Sequence, residues 1–317
     1  MASRRGPGYN QTMSTTFTNQ FSWSVSRDRV FRECPRKYYF NYYGHWGGWE
    51  PDAPERTRKI YVLKQLKNRA TWSGEVVHDC IARSLKNLSR GIPVLPIEDI
   101  LDITRNRMRQ DFRSSRAGAY RLNPRTQCGL FEHEYKAAIS NDQWKATADH
   151  VTNCLTTFYK SEWYEYFRCL QPSDFLEIEE FSSFELEGVE VKIKLDCACR
   201  EGDYIYIWDW KTGKTENMED SLQMACYAFY ASQAYQVAFT QVSTRLLNLH
   251  LSKLVERTIS RSSLDELVSY ITGSIQDMQS MLEDPRTNSA RESNFSKVSK
   301  SGLCLHCNFL DVCKPDI

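Results

Sequence analysis

Four cysteines at opposite ends of the chain constrain its fold more than any other sequence feature. Cys34 lies near the beginning, and Cys304, Cys307 and Cys313 form a C-x2-C-x5-C triplet near the end. The chain contains 11 cysteines, an odd number, and its first residues lack the apolar segment of a secretory signal. We therefore interpret the cysteines as thiols or metal ligands rather than as disulfides. A group bound by all four would hold both ends of one domain together.

The composition is that of a globular protein with a substantial core, since 41% of the 317 residues are hydrophobic and 13% are aromatic. The formal net charge of +1 excludes a uniformly polybasic nucleic-acid binder, so any such surface must be local. The sequence has no run of about 18 apolar residues, which argues against a membrane span. We expect a cytoplasmic protein, or a nuclear or organellar one in an organism that has such compartments. We also expect a flexible tail at residues 1–21 and a single domain at residues 22–317.

Apolar residues spaced three or four apart predict helices over much of the chain. The predicted helices span about 24–43 with a break at Pro35, 71–88, 220–234 and 263–282. Residues 95–170 have a helical pattern with loops near Gly118–Pro124 and Ser140–Asp142, which predicts a helical insertion at about 90–170.

Alternation of apolar and polar residues predicts strands at about 175–186, 190–199 and 203–211. Tight turns at Glu187-Gly188 and Glu201-Gly202-Asp203 would make these strands antiparallel neighbours. A fourth strand is predicted at about 240–250. This order favours the α+β class, with a mixed, mainly antiparallel sheet flanked by helices and a core formed by about 71–89 and 174–284.

Two carboxylates and a lysine are expected to converge on this sheet. Asp209 and Lys211 lie two apart on one strand and so share a face, and we expect Asp196 to end the preceding strand. Carboxylates bind Mg²⁺ or Mn²⁺, and a neighbouring lysine can stabilise charge on a phosphate, as phosphodiester hydrolysis requires. The alternative is that D-x-K is an ion pair on a solvated face.

Three further side chains carry weaker signals. Gln223 and Tyr227 are four residues apart and share a helical face, which is also the spacing of ordinary amphipathic packing. His78 is a single histidine on an apolar helix, and such residues more often lie in a core than bind a metal.

Taken together, Asp196, Asp209-x-Lys211, Gln223-x3-Tyr227 and Gly74-Glu-Val-Val-His78 resemble the PD-(D/E)XK nuclease superfamily, in particular its RecB-like branch. The resemblance implies that His78, Asp196 and Asp209 bind Mg²⁺ or Mn²⁺ and that Lys211 is the catalytic lysine. It also implies that Gln223 and Tyr227 organise the site or the DNA strand. The family usually has a glutamate in its first strand, and Glu177, Glu179 and Glu180 are all candidates here.

The cysteine arrangement resembles the iron–sulfur staple of RecB-like exonucleases, including the CRISPR-associated and exonuclease V-type groups. In those families the first cysteine lies in a Cys-Pro-basic-aromatic segment, and Cys34-Pro-Arg-Lys-Tyr-Tyr-Phe is similar. The resemblance implies a structural [4Fe–4S] cluster bound by Cys34 and by Cys304, Cys307 and Cys313 within segment 302–313. Zinc, or no metal, is the alternative.

A basic stretch between residues 105 and 125 is a candidate nucleic-acid surface, with Arg105, Arg107, Arg109, Arg113, Arg116, Arg121 and Arg125. Lysines and arginines also crowd residues 56–69. With aromatic residues nearby in sequence (Trp46, Trp49, Trp72, Tyr120 and Phe131), these could form a channel for single strands. The alternative is a solvated helix face. Thr212-Gly-Lys-Thr215 is not a phosphate-binding P-loop, because the position of its first glycine is Trp208.

These observations predict a metal-dependent DNA exonuclease acting on single-stranded ends, in DNA repair, recombination or CRISPR or phage DNA processing. A helicase, CRISPR-adaptation or recombination partner is compatible with this role. The alternatives are a non-catalytic DNA-binding or assembly module with the same fold, and an endonuclease of the same superfamily that recognises a structure or a sequence.

Overall fold

The computed structural model describes residues 18–214, 220–298 and 301–314, so most of the predicted tail at residues 1–21 lies outside the described residues. The α-helices are α1 (Val25–Glu33), α2 (Pro35–Tyr39), α3 (Glu55–Lys64), α4 (Arg69–Leu88), α5 (Ile97–Arg116), α6 (Phe131–Glu134), α7 (Asn141–Tyr159), α8 (Glu162–Cys169), α9 (Asp220–Ala234), α10 (Arg261–Ser280), α11 (Ser301–Cys304) and α12 (Leu310–Cys313). The strands are β1 (Phe175–Leu186), β2 (Val189–Glu201), β3 (Tyr204–Lys211), β4 (Val242–Asn248) and β5 (Lys253–Thr258). A π-helical turn, Phe40–Gly44, continues α2. None of the described helices is long and apolar enough to cross a membrane.

The five strands form one sheet in the order β1-β2-β3-β4-β5. β1, β2 and β3 are antiparallel neighbours, β3 and β4 are parallel, and β4 and β5 are antiparallel. A parallel pair requires a crossover, and α9 lies on the chain between β3 and β4. The prediction of an α+β fold with a mixed, mainly antiparallel sheet is therefore confirmed.

Each face of the sheet packs against its own group of helices. On one face, which we call the α9 core, Ile205 and Ile207 lie with residues of α9 and α10. On the other, the α4 core, Trp208 and Trp210 pack with residues of α4, α7 and α8. The helices of the predicted insertion therefore contact the sheet directly, and the rings of Phe158 and Trp210 lie 5.4 Å apart.

The hairpin of β1 and β2 reverses its faces partway along its length. In β2, Val191, Ile193 and Leu195 face the α9 core, whereas Cys197 and Cys199 face the α4 core. In a regular strand, odd-numbered residues would all share one face. The reversal falls at Asp196, which lies inside β2. The expectation that Asp196 ends its strand is therefore wrong, because pairing continues to Glu201.

The fourth strand is shorter than predicted and is followed by a fifth that was not predicted. β4 ends at Asn248, whose Oδ1 accepts hydrogen bonds from the backbone N–H groups of His250 (3.0 Å) and Leu251 (2.9 Å). This side chain ends the strand by forming an Asx turn, and the chain returns as β5.

The two ends of the chain meet in the folded protein. Trp23 Nε1 donates a hydrogen bond to Ser274 Oγ (2.9 Å), and Arg36 forms an ion pair with Glu292 (2.8 Å). Near the C-terminus, Phe309 is fully buried beside Phe40 in a third apolar cluster. The helices around Cys34 and the C-terminal cysteine triplet are therefore neighbours.

Candidate active site

A cleft of about 820 Å³ opens between α1, β2, β3, α4 and α9. Its walls contain all six residues predicted for the nuclease site: His78, Asp196, Asp209, Lys211, Gln223 and Tyr227. The first turn of α1 contributes Ser24, Val25 and Ser26, which no sequence signal had placed here. Residues from five elements thus converge on one concave surface.

β3 positions Asp209 and Lys211 opposite its two buried tryptophans. Asp209 is 2% exposed, and its Oδ2 lies 2.7 Å from Lys211 Nζ. Burial and the neighbouring Asp196 raise the pKa of Asp209 to about 7, against the opposing effects of Lys211 and His78. Without a divalent cation, this carboxyl therefore binds a proton near neutral pH.

His78, Glu179 and Asp196 form the most compact group of potential metal ligands among the described residues. His78 Nδ1 lies 3.1 Å from Asp196 Oδ1 and 3.3 Å from Glu179 Oε1, and one ligand atom from each residue lies within 4.8 Å of the others. The second oxygen of Asp196 accepts a hydrogen bond from the backbone N–H of Trp210 (2.7 Å), which fixes the carboxylate against β3.

This group distinguishes the three candidate glutamates by position. Glu177 is buried away from the cleft, where it accepts hydrogen bonds from Ser182, Tyr230 and Tyr235. Glu180 is exposed. Only Glu179 of the three contacts His78.

Glu179 reaches the cleft through an unusual backbone conformation. Its φ is +52°, in the left-handed region, which costs a non-glycine residue on the order of 1 kcal/mol or more. It lies opposite Asp196, where the hairpin reverses its faces, and hydrogen-bonds Lys194 as well as His78. Burial alone would raise the pKa of Glu179, but these hydrogen bonds lower it to about 2.

α4 approaches the sheet closely enough to deliver His78 because it has a glycine one turn earlier. A Cβ at Gly74 would lie 3.3 Å from Thr212 Oγ1, tighter than an ordinary van der Waals contact. Burial alone would lower the pKa of His78, whereas Asp196, Glu179 and Asp209 together raise it. A cation bound here would therefore replace the proton on the imidazole.

α9 connects Lys211 to β2 through a chain of hydrogen bonds. Lys211 Nζ donates to Gln223 Oε1 (2.9 Å), Gln223 Nε2 donates to Tyr227 Oη, and Tyr227 Oη donates to the backbone carbonyl of Lys194 (2.7 Å). Gln223 and Tyr227 thus fix the ammonium group in the cleft, a function that amphipathic packing alone would not give them.

The donor set fits a divalent cation such as Mg²⁺ or Mn²⁺. Glu179 and Asp196 offer the hard carboxylate oxygens that Mg²⁺ and Mn²⁺ prefer, and His78 adds one imidazole nitrogen. Asp209 lies beside this group and influences the pKa of His78, although its nearest contact in the structure is Lys211.

Replacing Asp209 by asparagine should stabilise the protein at pH 8 once divalent cations are removed. The folded-state pKa of about 7 exceeds the unfolded value of about 3.9, so the stability contributed by this carboxyl is complete below pH 4 and is lost as the pH rises through 7. Asparagine mimics the protonated form, and we expect a gain on the order of 1–4 kcal/mol above pH 7 and almost none near pH 4.

Thermal unfolding of Asp209→Asn and the parent, in EDTA from pH 4 to 8, measures this difference. Adding Mg²⁺ should stabilise the parent more than the variant. A variant that is less stable than the parent at pH 8 would show that the Asp209–Lys211 ion pair outweighs the cost of burial.

The four terminal cysteines line one small cavity together with Lys37 and Lys297. The ammonium groups of these two lysines can offset the negative charge that the cysteines carry as thiolates.

The predicted basic channel divides into separate parts. In the 56–69 stretch, Lys59 and Lys67 form ion pairs with Asp311 and Glu75. The aromatic residues proposed for the channel are also dispersed, since Trp49 packs against Tyr61. The arginines at 105, 109, 113 and 116, by contrast, line a second cleft with Trp72.

A family model described as the PD-(D/E)XK nuclease superfamily matches residues 22–314. No curated protein matches the chain.

Proposed function

Because this chain belongs to the PD-(D/E)XK nuclease superfamily, whose members hydrolyse DNA with divalent metal ions, we propose that it is an exonuclease that degrades single strands from an end. The observation that carries the proposal is the convergence of His78, Glu179, Asp196, Asp209 and Lys211 in one cleft. The arrangement of Cys34 and the C-terminal triplet, which resembles that of iron–sulfur exonucleases, favours action at ends.

The side chains in the cleft are of the kinds that phosphodiester hydrolysis would require. A divalent ion bound by His78, Glu179 and Asp196 would polarise the phosphate and lower the pKa of a bound water. Lys211, held by Gln223, lies where it can orient the attacking water or stabilise the charge that develops on the phosphate. Asp209 positions Lys211 and supplies a further carboxylate at the same place.

We further propose that Cys34, Cys304, Cys307 and Cys313 bind a [4Fe–4S] cluster with a structural function. α1 and α2 flank Cys34, and the first turn of α1 is also a wall of the active-site cleft. A cluster at this position would stabilise that wall. DNA repair, recombination and CRISPR or phage DNA processing are the proposed settings, because each requires trimmed DNA ends.

Single-stranded DNA labelled at either end should be shortened from one end by the parent protein in Mg²⁺ or Mn²⁺, and Asp209→Asn should lose this activity. The asparagine variant suits the test because it should not lose stability. Gel electrophoresis of both labelled strands gives the polarity.

The same assay distinguishes the alternatives. Internal cuts on a closed circular single strand would indicate an endonuclease. Binding without cleavage, by protein that contains its iron, would indicate a non-catalytic module and overturn the proposal.

A further inference from the structure

A second cleft lies between α5, α7 and the beginning of α4. Its volume is about 750 Å³, and most of its lining is aromatic, aliphatic or arginine. The aromatic floor consists of Trp72, Phe112 and Trp144, and the rim carries Arg105, Arg109, Arg113 and Arg116. Neither the proposed catalytic residues nor the cysteine cavity include any of these side chains.

The floor is a rigid aromatic surface. The rings of Phe112 and Trp144 lie 5.0 Å apart, and those of Trp72 and Trp144 lie 6.5 Å apart, in edge-to-face arrangements. A hydrogen bond from Trp72 Nε1 to Asp111 Oδ2 (3.0 Å) fixes the first tryptophan. Phe112 and Trp144 are half-buried, so part of each ring remains available to a flat ligand.

The rim is a row of exposed arginines on one face of α5, at intervals of three or four residues. Arg105 forms an ion pair with Asp102 (2.8 Å). For Arg109, Arg113 and Arg116, no carboxylate in the part of the chain that the structure describes lies within ion-pair distance. Asp149, on the opposite wall, is paired with Lys145. The rim therefore carries net positive charge. The Cβ atoms of successive arginines are about 5–6 Å apart, as for any helical residues at this spacing.

Helix α4 connects this cleft with the candidate active site. Trp72 and His78 lie six residues apart on α4, which separates them by about 9 Å along the helix axis. A strand bound at the active site could therefore reach this cleft within a few nucleotides.

We propose that this cleft binds the single-stranded DNA on which the active site acts, with unpaired bases stacked on the aromatic floor and phosphates on the arginine row. The inference depends on the proposed function for its substrate. An aromatic platform beside a row of cations is the combination that binds single strands without regard to sequence. A duplex is a poorer ligand for this cleft, because its bases are already stacked on one another. A membrane is also a poorer partner, because these aromatic rings are recessed and would have to protrude to enter a lipid surface.

The test measures binding in the Asp209→Asn background, in EDTA, by fluorescence anisotropy with single-stranded oligonucleotides of increasing length. Arg109→Glu/Arg113→Glu should weaken binding of long strands about tenfold or more. It should also make the slope of log K against log salt shallower by about 1.4, because two phosphate contacts are lost. Oligonucleotides too short to extend from the active site to this cleft should bind with unchanged affinity.

The matched control is Arg90→Glu/Arg286→Glu. Both of these arginines are exposed, neither lines either cleft, and the change in net charge is identical. Phe112→Leu should weaken single strands without affecting blunt duplex. An equal loss in the control, or equal losses for duplex and single strand, would overturn the proposed cleft.

A further comparison separates this inference from the proposed function. Suppose that the parent cleaves single strands while Arg109→Glu/Arg113→Glu in the Asp209→Asn background binds oligonucleotides of every length as tightly as Asp209→Asn alone. In that case this inference is wrong and the proposed function stands. If the parent neither binds nor cleaves any strand, the proposed function is wrong, and this inference with it.

Discussion

Replacing Lys211 by methionine should lower the rate of DNA cleavage by on the order of 100- to 1,000-fold, the usual cost of removing one group that stabilises charge in a transition state. Methionine retains the length of the side chain but loses the ammonium group, which contacts Asp209 and Gln223. Single-turnover cleavage of end-labelled single-stranded DNA measures the effect on the chemical step. Binding of Mn²⁺ and of DNA should change little, because the ligand group of His78, Glu179 and Asp196 is untouched.

Lys192→Met provides the matched control for this experiment. Lys192 also lines the active-site cleft, but its contact is an exposed ion pair with Glu190 (3.3 Å). The control should cleave DNA at nearly the parental rate. If Lys211→Met does so as well, Lys211 has no part in the chemistry and the charge on the phosphate must be stabilised by other groups.

Replacing Cys307 by serine should remove the brown colour of the purified protein, lower its iron content and destabilise it. A cluster that connects Cys34 to the C-terminal triplet closes a loop of nearly the whole chain, and the chain-entropy argument gives such a closure up to about 5 kcal/mol. Iron and sulfide analysis, visible absorbance and thermal unfolding of the variant and the parent measure the three effects.

Cys169→Ser is the control for the cysteine experiment, because Cys169 is exposed and lies outside the cavity that the four cysteines line. It should retain its iron and its stability. An unchanged iron content in Cys307→Ser would contradict the four-cysteine site. If the parent protein contains zinc instead of iron, the four cysteines form a zinc site and not an iron–sulfur cluster.

The antiparallel part of the sheet could be predicted because two kinds of signal place its strand ends at the same positions. These signals are the turn residues and the alternation of apolar and polar side chains. Gly188 (φ 76°) and Gly202 (φ 58°) occupy left-handed positions in the two hairpin turns, where glycine is favoured. The shared face of Asp209 and Lys211 follows from the same two-residue period. The convergence of Gln223 and Tyr227 follows from helical spacing, once the crossover helix is placed beside β3.

Other parts of the fold could not be derived from local patterns. The face reversal at Glu179 and Asp196 breaks the period that a sequence analysis must assume, so alternation could not select among three neighbouring glutamates. β5, with the sequence Lys-Leu-Val-Glu-Arg-Thr, is short and charged, as edge strands often are. Its sequence therefore lacks the alternation of apolar and polar residues by which the other strands were predicted. The position of α1 beside the cleft depends on contacts far along the chain, such as the pairing of Trp23 with β2 at Val191 and its hydrogen bond to Ser274.

Those long-range contacts also determine when the enzyme can become complete during its synthesis. Trp23 and Arg36 have partners in α10 and at Glu292, which the ribosome adds roughly tens of seconds later. The backbone at Trp23 can pair with β2 at Val191 earlier, but its side-chain contact with α10 forms only after that helix has emerged. A chain that ends before α10 would lack this contact, so the wall of the cleft that α1 provides would be less stable in it.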